Sequence, residues 1–120
     1  MKKNIRQFKT GAVRDQDDTK EKYVECFSFT AWRRFAQYMK TQEKKYPPDN
    51  WRKGIPEKEY EQSLMRHLQK YFMNKYEGGQ LELDVDHLAA AYFNLQGIMF
   101  EQSKLTPPAD EGCKKELTEN

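Results

Sequence analysis

The sequence predicts an all-α fold, a small helical bundle of three main helices that is completed by homo-oligomerisation. Three segments place apolar residues at helical spacing, and clusters of proline or glycine separate them. Strand-like alternation is weak along the whole chain. The 120 residues form one domain, and with 33% charged residues and a mean hydropathy of −1.10 its core is thin. Pairing with a second copy would bury more apolar surface.

The first helix is predicted over residues 30–45, with Thr30 as its N-cap. Five apolar residues at helical spacing form its buried face: Phe29, Trp32, Phe35, Ala36 and Met39. Pro47-Pro48 ends this helix, because proline disfavours helical geometry in the residue before it and has no N–H to donate. Residues 23–29 alternate enough to be a weak strand candidate.

The second helix is predicted over residues 56–76, since Pro56 suits a first turn and Gly78-Gly79 breaks the pattern. Its apolar stripe consists of Tyr60, Leu64, Leu68, Tyr71 or Phe72, and the aliphatic stem of Lys75. The third helix is predicted over residues 87–102, capped by Asp86 or Asp84. Its predicted buried face consists of Leu88, Ala91, Tyr92, Leu95, Ile98 and Met99.

The chain divides into three regions. Residues 1–22 are polar and, taken alone, would stay flexible, because they cannot bury enough apolar surface to offset their ordering entropy. Residues 23–105 form the helical domain. Thr106-Pro107-Pro108 opens a polar tail, residues 106–120, which we expect to be disordered.

Composition excludes several classes of function. The net charge of +2 is too small for a protein built around duplex nucleic acid. No apolar run approaches membrane length, and the basic N-terminus lacks the apolar segment of a signal peptide. Cys26 and Cys113 lie far apart without metal-type spacing, which indicates reduced thiols. We therefore expect a cytoplasmic protein that binds neither membranes nor duplex nucleic acid.

One short loop, Asn50-Trp51-Arg52-Lys53-Gly54, combines residue types that a simple connector rarely contains. Trp51 can stack on a base or sugar, while Arg52 and Lys53 can meet phosphate charge. Gly54 lets the backbone come close to a ligand. This pattern favours a site for a flat anion such as a nucleotide. The alternative is that Trp51 only fills the gap between two helices, as most tryptophans do.

Each of the next two helices contains one histidine. His67 lies beside the apolar stripe, where a histidine is more often a half-buried hydrogen-bonding residue than a ligand, and Arg66 points about 100° away from it. His87 and Asn94 are seven residues apart and share one face with Ala90-Ala91. These small residues either form a pocket floor or admit a close helix neighbour, and both interpretations stay open.

Four acidic residues lie between these two helices: Glu77, Glu82, Asp84 and Asp86. Their oxygens can hold a divalent metal, because magnesium needs only one or two protein carboxylates in addition to substrate phosphates. A run of charges in a connecting loop is also commonly just solvated. The acidic residues therefore permit a metal site without requiring one.

Taken in order, the motifs resemble one family. They are Gly11-Ala12-Val13-Arg14-Asp15, Lys20, Tyr23, Glu43-Lys44-Lys45-Tyr46, Asn50-Trp51-Arg52-Lys53-Gly54, Arg66-His67-Leu68, His87-Leu88 and Asn94. This set is similar to the dATP/dGTP diphosphohydrolase N-terminal-domain family of phages and prophages. That family is related in architecture to the all-α nucleotide pyrophosphohydrolases of the MazG type. The resemblance spans residues 11–101.

The resemblance implies a nucleotide site in which Mg²⁺ or Mn²⁺ activates water to split a nucleoside triphosphate into monophosphate and pyrophosphate. The implied substrate-binding residues are Arg14, Lys20, Asn50, Trp51, Arg52, Lys53, Arg66 and Asn94. The implied catalytic residues are His67, His87 and Glu82, and the implied metal ligands are Glu77, Glu82 and Asp84. Residues 1–22 would fold over this site.

The chain departs from the family pattern before its second histidine. There, relatives carry an acidic sequence resembling Gly-Glu-x-x-Asp-x-Glu, whereas Gln80 occupies one of these carboxylate positions. The ExxE and ExxD pairs of the MazG type are also not evident on the predicted helices. These departures weaken catalysis more than nucleotide binding.

Three hypotheses follow. The first is a metal-dependent (deoxy)nucleoside triphosphate pyrophosphohydrolase. The second is a non-catalytic phage protein that binds a nucleotide or sequesters a nucleotide signal. The third is a helical module that binds another protein or single-stranded nucleic acid through Trp51, Tyr71 and Phe72.

Overall fold

The computed structural model describes residues 4–16 and 18–105. A short hairpin comes first, with strands β1 (Asn4–Gln7) and β2 (Val13–Gln16). It is followed by the helices α1 (Tyr23–Cys26), α2 (Phe29–Gln42), α3 (Glu57–Tyr76) and α4 (His87–Leu105), with a 3₁₀ turn at Asn50–Lys53. Over the described residues the protein is mostly helical with three main helices, α2 to α4, which confirms the predicted helix count.

The all-α prediction was wrong for the N-terminal segment, because β1 and β2 pair there as an antiparallel hairpin. Gly11 has a φ of 94°, a conformation that costs glycine little. In the same turn the Phe8 N–H donates to the Ala12 carbonyl at 2.8 Å. Residues 5–16 are exposed, so the pairing rests on satisfied backbone groups rather than on a buried face. Hydrophobic periodicity predicts only elements that bury an apolar face, so it did not predict this hairpin.

The helical region also begins differently from the prediction. Residues 23–29, the weak strand candidate, form α1 and the start of α2. Ser28 rather than Thr30 is the N-cap of α2, because its Oγ accepts a hydrogen bond from the Ala31 N–H at 3.1 Å. The helix ends at Gln42 rather than at residue 45, and residues 43–46 form turns before Pro47.

The helices α3 and α4 lie close to their predicted bounds, although α4 continues three residues beyond 102. Asp86 is the cap of α4: its Oδ1 accepts a hydrogen bond from the Ala89 N–H at 3.1 Å. The same carboxylate accepts two hydrogen bonds from Arg34, at 2.6 and 2.8 Å, so it also ties α2 to the start of α4.

The predicted buried face of α4 was wrong for half of its residues. Tyr92, Leu95 and Met99 are 45%, 48% and 63% exposed. Ala91 is buried as predicted, and the other buried residues of this helix are also small or polar: His87, Ala89, Ala90, Asn94 and Gly97. Small side chains let α3 approach closely, so the tightest packing lies where the side chains are smallest.

The contact between Tyr60 and Gly97 shows how close this approach is. Tyr60 is 2% exposed, and a Cβ atom at Gly97 would overlap its ring. The ring also meets Phe93 edge-on, with ring centroids 5.8 Å apart. Tyr60 is therefore wedged between the two long helices.

Cys26 is an exposed free thiol. Cys113 and the predicted disordered tail, residues 106–120, lie outside the described residues. Within the described part of the chain, no helix combines the length and apolar character needed to cross a lipid bilayer.

Candidate functional site

A cavity of about 440 Å³ lies between the C-terminal half of α2, the loop after it, α3 and α4. Its aromatic walls are Tyr38, Tyr46, Trp51, Tyr60 and Phe93. Its polar groups include Gln42, Asn50, Ser63, His67 and Asn94. Apolar and aromatic walls with a few convergent polar groups are typical of small-molecule sites, and the volume lies within their usual range. We call this space the central cavity.

The loop after α2 places Trp51 on the cavity wall. The 3₁₀ turn ends at Gly54, whose φ of 108° disfavours other residues and whose N–H donates to the Trp51 carbonyl at 3.2 Å. The Trp51 ring meets Phe100 of α4 edge-on, with centroids 4.9 Å apart. One residue further, the Ile55 N–H donates to Glu101 Oε2 at 3.2 Å, which ties the loop to α4.

His67 and His87 face each other between α3 and α4, with their Nδ1 atoms 2.9 Å apart. His87 is buried, and its Nε2 lies 3.0 Å from the Glu82 carbonyl oxygen and 3.3 Å from that of Leu81. Burial and the neighbouring His87 lower the pKa of His67 below its ordinary value. His67 is therefore uncharged at neutral pH, and it lines the central cavity.

Asn94 is 4% exposed and lines the cavity from α4. Its amide nitrogen donates to the Ala90 carbonyl at 2.8 Å and to Ser63 Oγ at 3.2 Å. These two bonds hold the side chain in one orientation across the helix interface. His87, Ala90 and Asn94 are thus all buried, and His87 and Asn94 share one face of α4 as their spacing predicted.

The predicted metal ligands do not come together. The Glu82 carboxylate accepts a hydrogen bond from Lys70 Nζ at 2.7 Å, and this lysine lowers the pKa of Glu82. Glu77 and Asp84 are exposed. Within residues 4–16 and 18–105, no group of three His, Cys, Asp or Glu side chains is placed to hold a metal ion. The three predicted ligands therefore do not form a metal site by themselves among the described residues, and a magnesium ion would depend on one or two carboxylates together with the substrate phosphates.

The predicted phosphate-binding cations lie outside the cavity walls. Arg52 covers the ring of Trp51 at 4.5 Å and pairs with Asp49 at 3.1 Å. The other four are exposed: Arg14, Lys20, Lys53 and Arg66. No residue of the described hairpin, residues 4–16, lines the cavity, so the closing of residues 1–22 over the site stays a prediction.

Several cavity residues were not assigned from the sequence. Lys45 is a cation on the wall, although in the sequence it stood out only as part of a family motif. Glu59 and Ser63 precede the predicted catalytic residue His67 at four-residue intervals along α3, and all three line the cavity. That spacing was the available signal for Glu59 and Ser63.

Fold and cavity together define a small helical protein with a ligand-sized cavity between three helices. A family model described as dATP/dGTP diphosphohydrolase, N-terminal, matches residues 10–106. The chain belongs to this family, which confirms the resemblance. No curated protein and no solved structure gave a match.

Proposed function

We propose that the chain binds a purine deoxynucleoside triphosphate in the central cavity and acts in its hydrolysis to the monophosphate and pyrophosphate. The observation that supports this most directly is the convergence of Asn50, Trp51, His67 and Asn94 on one cavity. These residues come from three separate segments: Asn50, Trp51 and Asn94 were predicted as substrate-binding residues, and His67 as a catalytic residue. The family description names dATP and dGTP, and both are purine nucleotides.

The cavity suits the base and sugar better than the phosphates. Its aromatic walls offer stacking surfaces, and stacking contributes about 1–3 kcal/mol per base. The walls also include two carboxylates, Glu43 and Glu59, which would repel phosphate. The wall residue Lys45, and Lys53 from the same turn as Trp51, are the groups we assign to the phosphates.

The metal requirement is the least supported part of the family's implied chemistry. The Glu82 carboxylate forms an ion pair with Lys70 at 2.7 Å. The described residues contain no cluster of three metal ligands. We therefore propose that nucleotide binding by this chain is independent of divalent metal. Affinity should be the same in excess chelator as in Mg²⁺.

The same observation favours a second candidate function, a nucleotide-binding module without turnover. In it the chain would hold or sequester a nucleotide or nucleotide signal. Gln80, where relatives have a carboxylate, agrees with this alternative. Both candidates use the same cavity, and they differ only in whether the ligand is released intact.

One experiment separates them. Purified protein is incubated with dATP, dGTP, the other common nucleoside triphosphates and cyclic signalling nucleotides, with Mg²⁺ or with chelator. Affinity is measured by calorimetry, and the ligands are identified by mass spectrometry after filtration and after heating. Monophosphate and pyrophosphate would establish the hydrolase. An intact nucleotide released only on heating would establish the binding module, and no binding at all would refute both.

The two tryptophans give a matched pair of variants. Trp51→Ala should weaken nucleotide affinity about tenfold or more through lost stacking. Trp32→Ala removes the same atoms from α2, where Trp32 is 56% exposed and does not line the central cavity. It should leave the affinity unchanged. Equal losses in both variants would show that the ligand binds elsewhere.

Homo-oligomerisation also stays a proposal. Its support is an exposed aromatic surface on α1, α2 and α4, in which Phe29 and Trp32 are 58% and 56% exposed. Exposed apolar surface of this kind is typical of association sites. Sedimentation across a hundredfold concentration range should reveal a species of twice the chain mass or more, and a monomer throughout would refute the proposal.

A further inference from the structure

The hydrogen-bond partners of the Asn94 amide show which of its two terminal atoms is the nitrogen. A carbonyl oxygen only accepts hydrogen bonds, so the atom 2.8 Å from the Ala90 carbonyl must be the amide nitrogen. The other contact of that nitrogen is Ser63 Oγ. The Oδ1 atom is thereby left as an acceptor without a partner among the described residues. It belongs to a residue that lines the central cavity.

Hydrogen-bond donors and acceptors also fix the tautomers of the histidine pair. The Nε2 of His87 faces two backbone carbonyls, of Leu81 and Glu82, and must therefore carry a proton. In the neutral ring the Nδ1 of His87 is then an acceptor, and it takes the hydrogen bond from the Nδ1–H of His67 at 2.9 Å. This leaves the Nε2 of His67 with a lone pair. His67, which lines the cavity, therefore supplies a second hydrogen-bond acceptor.

The two acceptors are neighbours. Ser63 and His67 are four residues apart on α3, so their side chains lie about 6 Å apart on one face. Asn94 contacts Ser63 directly, which places its amide within about one helical turn of the His67 ring. Glu59, one turn before Ser63, adds a carboxylate to the same wall. This side of the cavity therefore offers acceptors to a ligand.

We infer that Asn94 Oδ1 and His67 Nε2 select nucleobases that carry an exocyclic amino group. This inference rests on the proposed function and adds to it the feature of the base that is recognised. Adenine and guanine each carry such an amine, and guanine adds the neighbouring ring N–H. Hypoxanthine has no amine. Its binding would leave buried acceptors unpaired, which costs more than a lost contact with water.

The test compares nucleotides that differ only in the amine. Affinities of the full chain for dGTP and dITP, which lacks only the 2-amino group, are measured by calorimetry. A second pair is dATP and deoxynebularine triphosphate, which lacks only the 6-amino group. We expect the aminated member of at least one pair to bind about tenfold or more tightly.

Variants then test the residue assignment. Asn94→Leu and His67→Phe keep approximate side-chain volume and remove one acceptor each. Each should bring the ratio of affinities within a pair toward one. The ratio is taken within one variant, so a general loss of affinity does not affect it. If one variant fails to fold by circular dichroism, the comparison on the unaltered chain still tests amine selection, and the other variant tests the residue assignment.

The outcomes separate the inference from the proposed function. Equal affinity within both pairs would overturn the inference while leaving nucleotide binding intact. Amine selection that survives in both variants would overturn the assignment to Asn94 and His67. A chain that binds none of the four nucleotides would refute the proposed function itself.

Discussion

Asp86 makes two contributions to stability that two substitutions can separate. Its Oδ1 caps α4 through the Ala89 N–H, and both of its oxygens bind Arg34 of α2. Asn is as good an N-cap as Asp, so Asp86→Asn removes the ion pair and keeps the cap. Asp86→Ala removes both. The difference between the two variants therefore measures the cap.

The magnitudes follow from exposure. The side chains of Arg34 and Asp86 are 56% and 27% exposed, so their ion pair should contribute about 0.5–1 kcal/mol. The cap should contribute about 1 kcal/mol. We expect Asp86→Asn to lower the free energy of unfolding by about 0.5–1 kcal/mol, and Asp86→Ala by about 1.5–2 kcal/mol, in urea unfolding at pH 7. Arg34→Gln is the control and should match Asp86→Asn. Equal losses in Asp86→Asn and Asp86→Ala would refute the capping role.

The pH dependence gives an independent check of the ion pair. The hydrogen bonds from Arg34 hold the pKa of Asp86 below its ordinary value. A depressed pKa contributes stability that is fully present above the unfolded pKa of about 3.9 and is lost as pH falls through the folded pKa. The gap between the wild type and Asp86→Asn should be constant from pH 7 to about pH 5 and narrow below about pH 4. A gap that widens in acid would contradict the assignment.

Three further predictions concern the interface of α3 and α4. Gly97→Ala should destabilise the protein by about 1–3 kcal/mol in urea unfolding, because the new Cβ overlaps the Tyr60 ring. The cost of this overlap outweighs the higher helix propensity of alanine. A stabilised variant would show that the helices can separate freely. Tyr60→Phe should be neutral or stabilising by up to about 1 kcal/mol, because the buried hydroxyl has no hydrogen-bond partner among the described residues. A loss of more than about 1 kcal/mol in the free energy of unfolding would reveal such a partner. The lowered pKa of His67 means that the unfolded chain binds its proton more readily, so the free energy of unfolding should rise with pH up to about 6.5. His67→Gln should flatten that rise in unfolding curves taken from pH 5 to 8, and an unchanged slope would assign it to another group.

The sequence predicted the helices well where breakers and caps agree with periodicity. Pro56 and Gly78-Gly79 bound α3 to within two residues, and Asp86 caps α4 as expected. The hairpin was missed because β1 and β2 bury no apolar face, and its pairing depends on a turn at Gly11 that leaves no periodic trace. Both ends of α3 and the start of α4 were predictable because a breaker or cap marks them, whereas the ends of α2 and α4 were each three residues from their predicted positions. The hairpin, which backbone hydrogen bonds hold, was not predicted.

The candidate site was predictable in its residue types but not in its assembly. Asn50, Trp51, His67 and Asn94 do line one cavity. The charged residues predicted for the site do not line the cavity. Long exposed side chains pair with whichever opposite charge lies near, as Glu82 does with Lys70. Which carboxylate or cation faces a ligand depends on tertiary distances that spacing along one chain does not contain.

Ala90 and Ala91, whose role the sequence left open, are buried but do not line the central cavity. Close helix packing and the polar cavity wall lie instead at Gly97 and Asn94, one turn apart on α4. Gly97 admits the Tyr60 ring and so sets the distance between α3 and α4. Asn94, just before it, spans that distance to Ser63 at 3.2 Å and lines the cavity. A wider interface would break this hydrogen bond and leave the Asn94 amide held only by the Ala90 carbonyl. The close packing at Gly97 therefore holds the polar wall of the cavity in one orientation, which is the condition for an acceptor to discriminate between ligands.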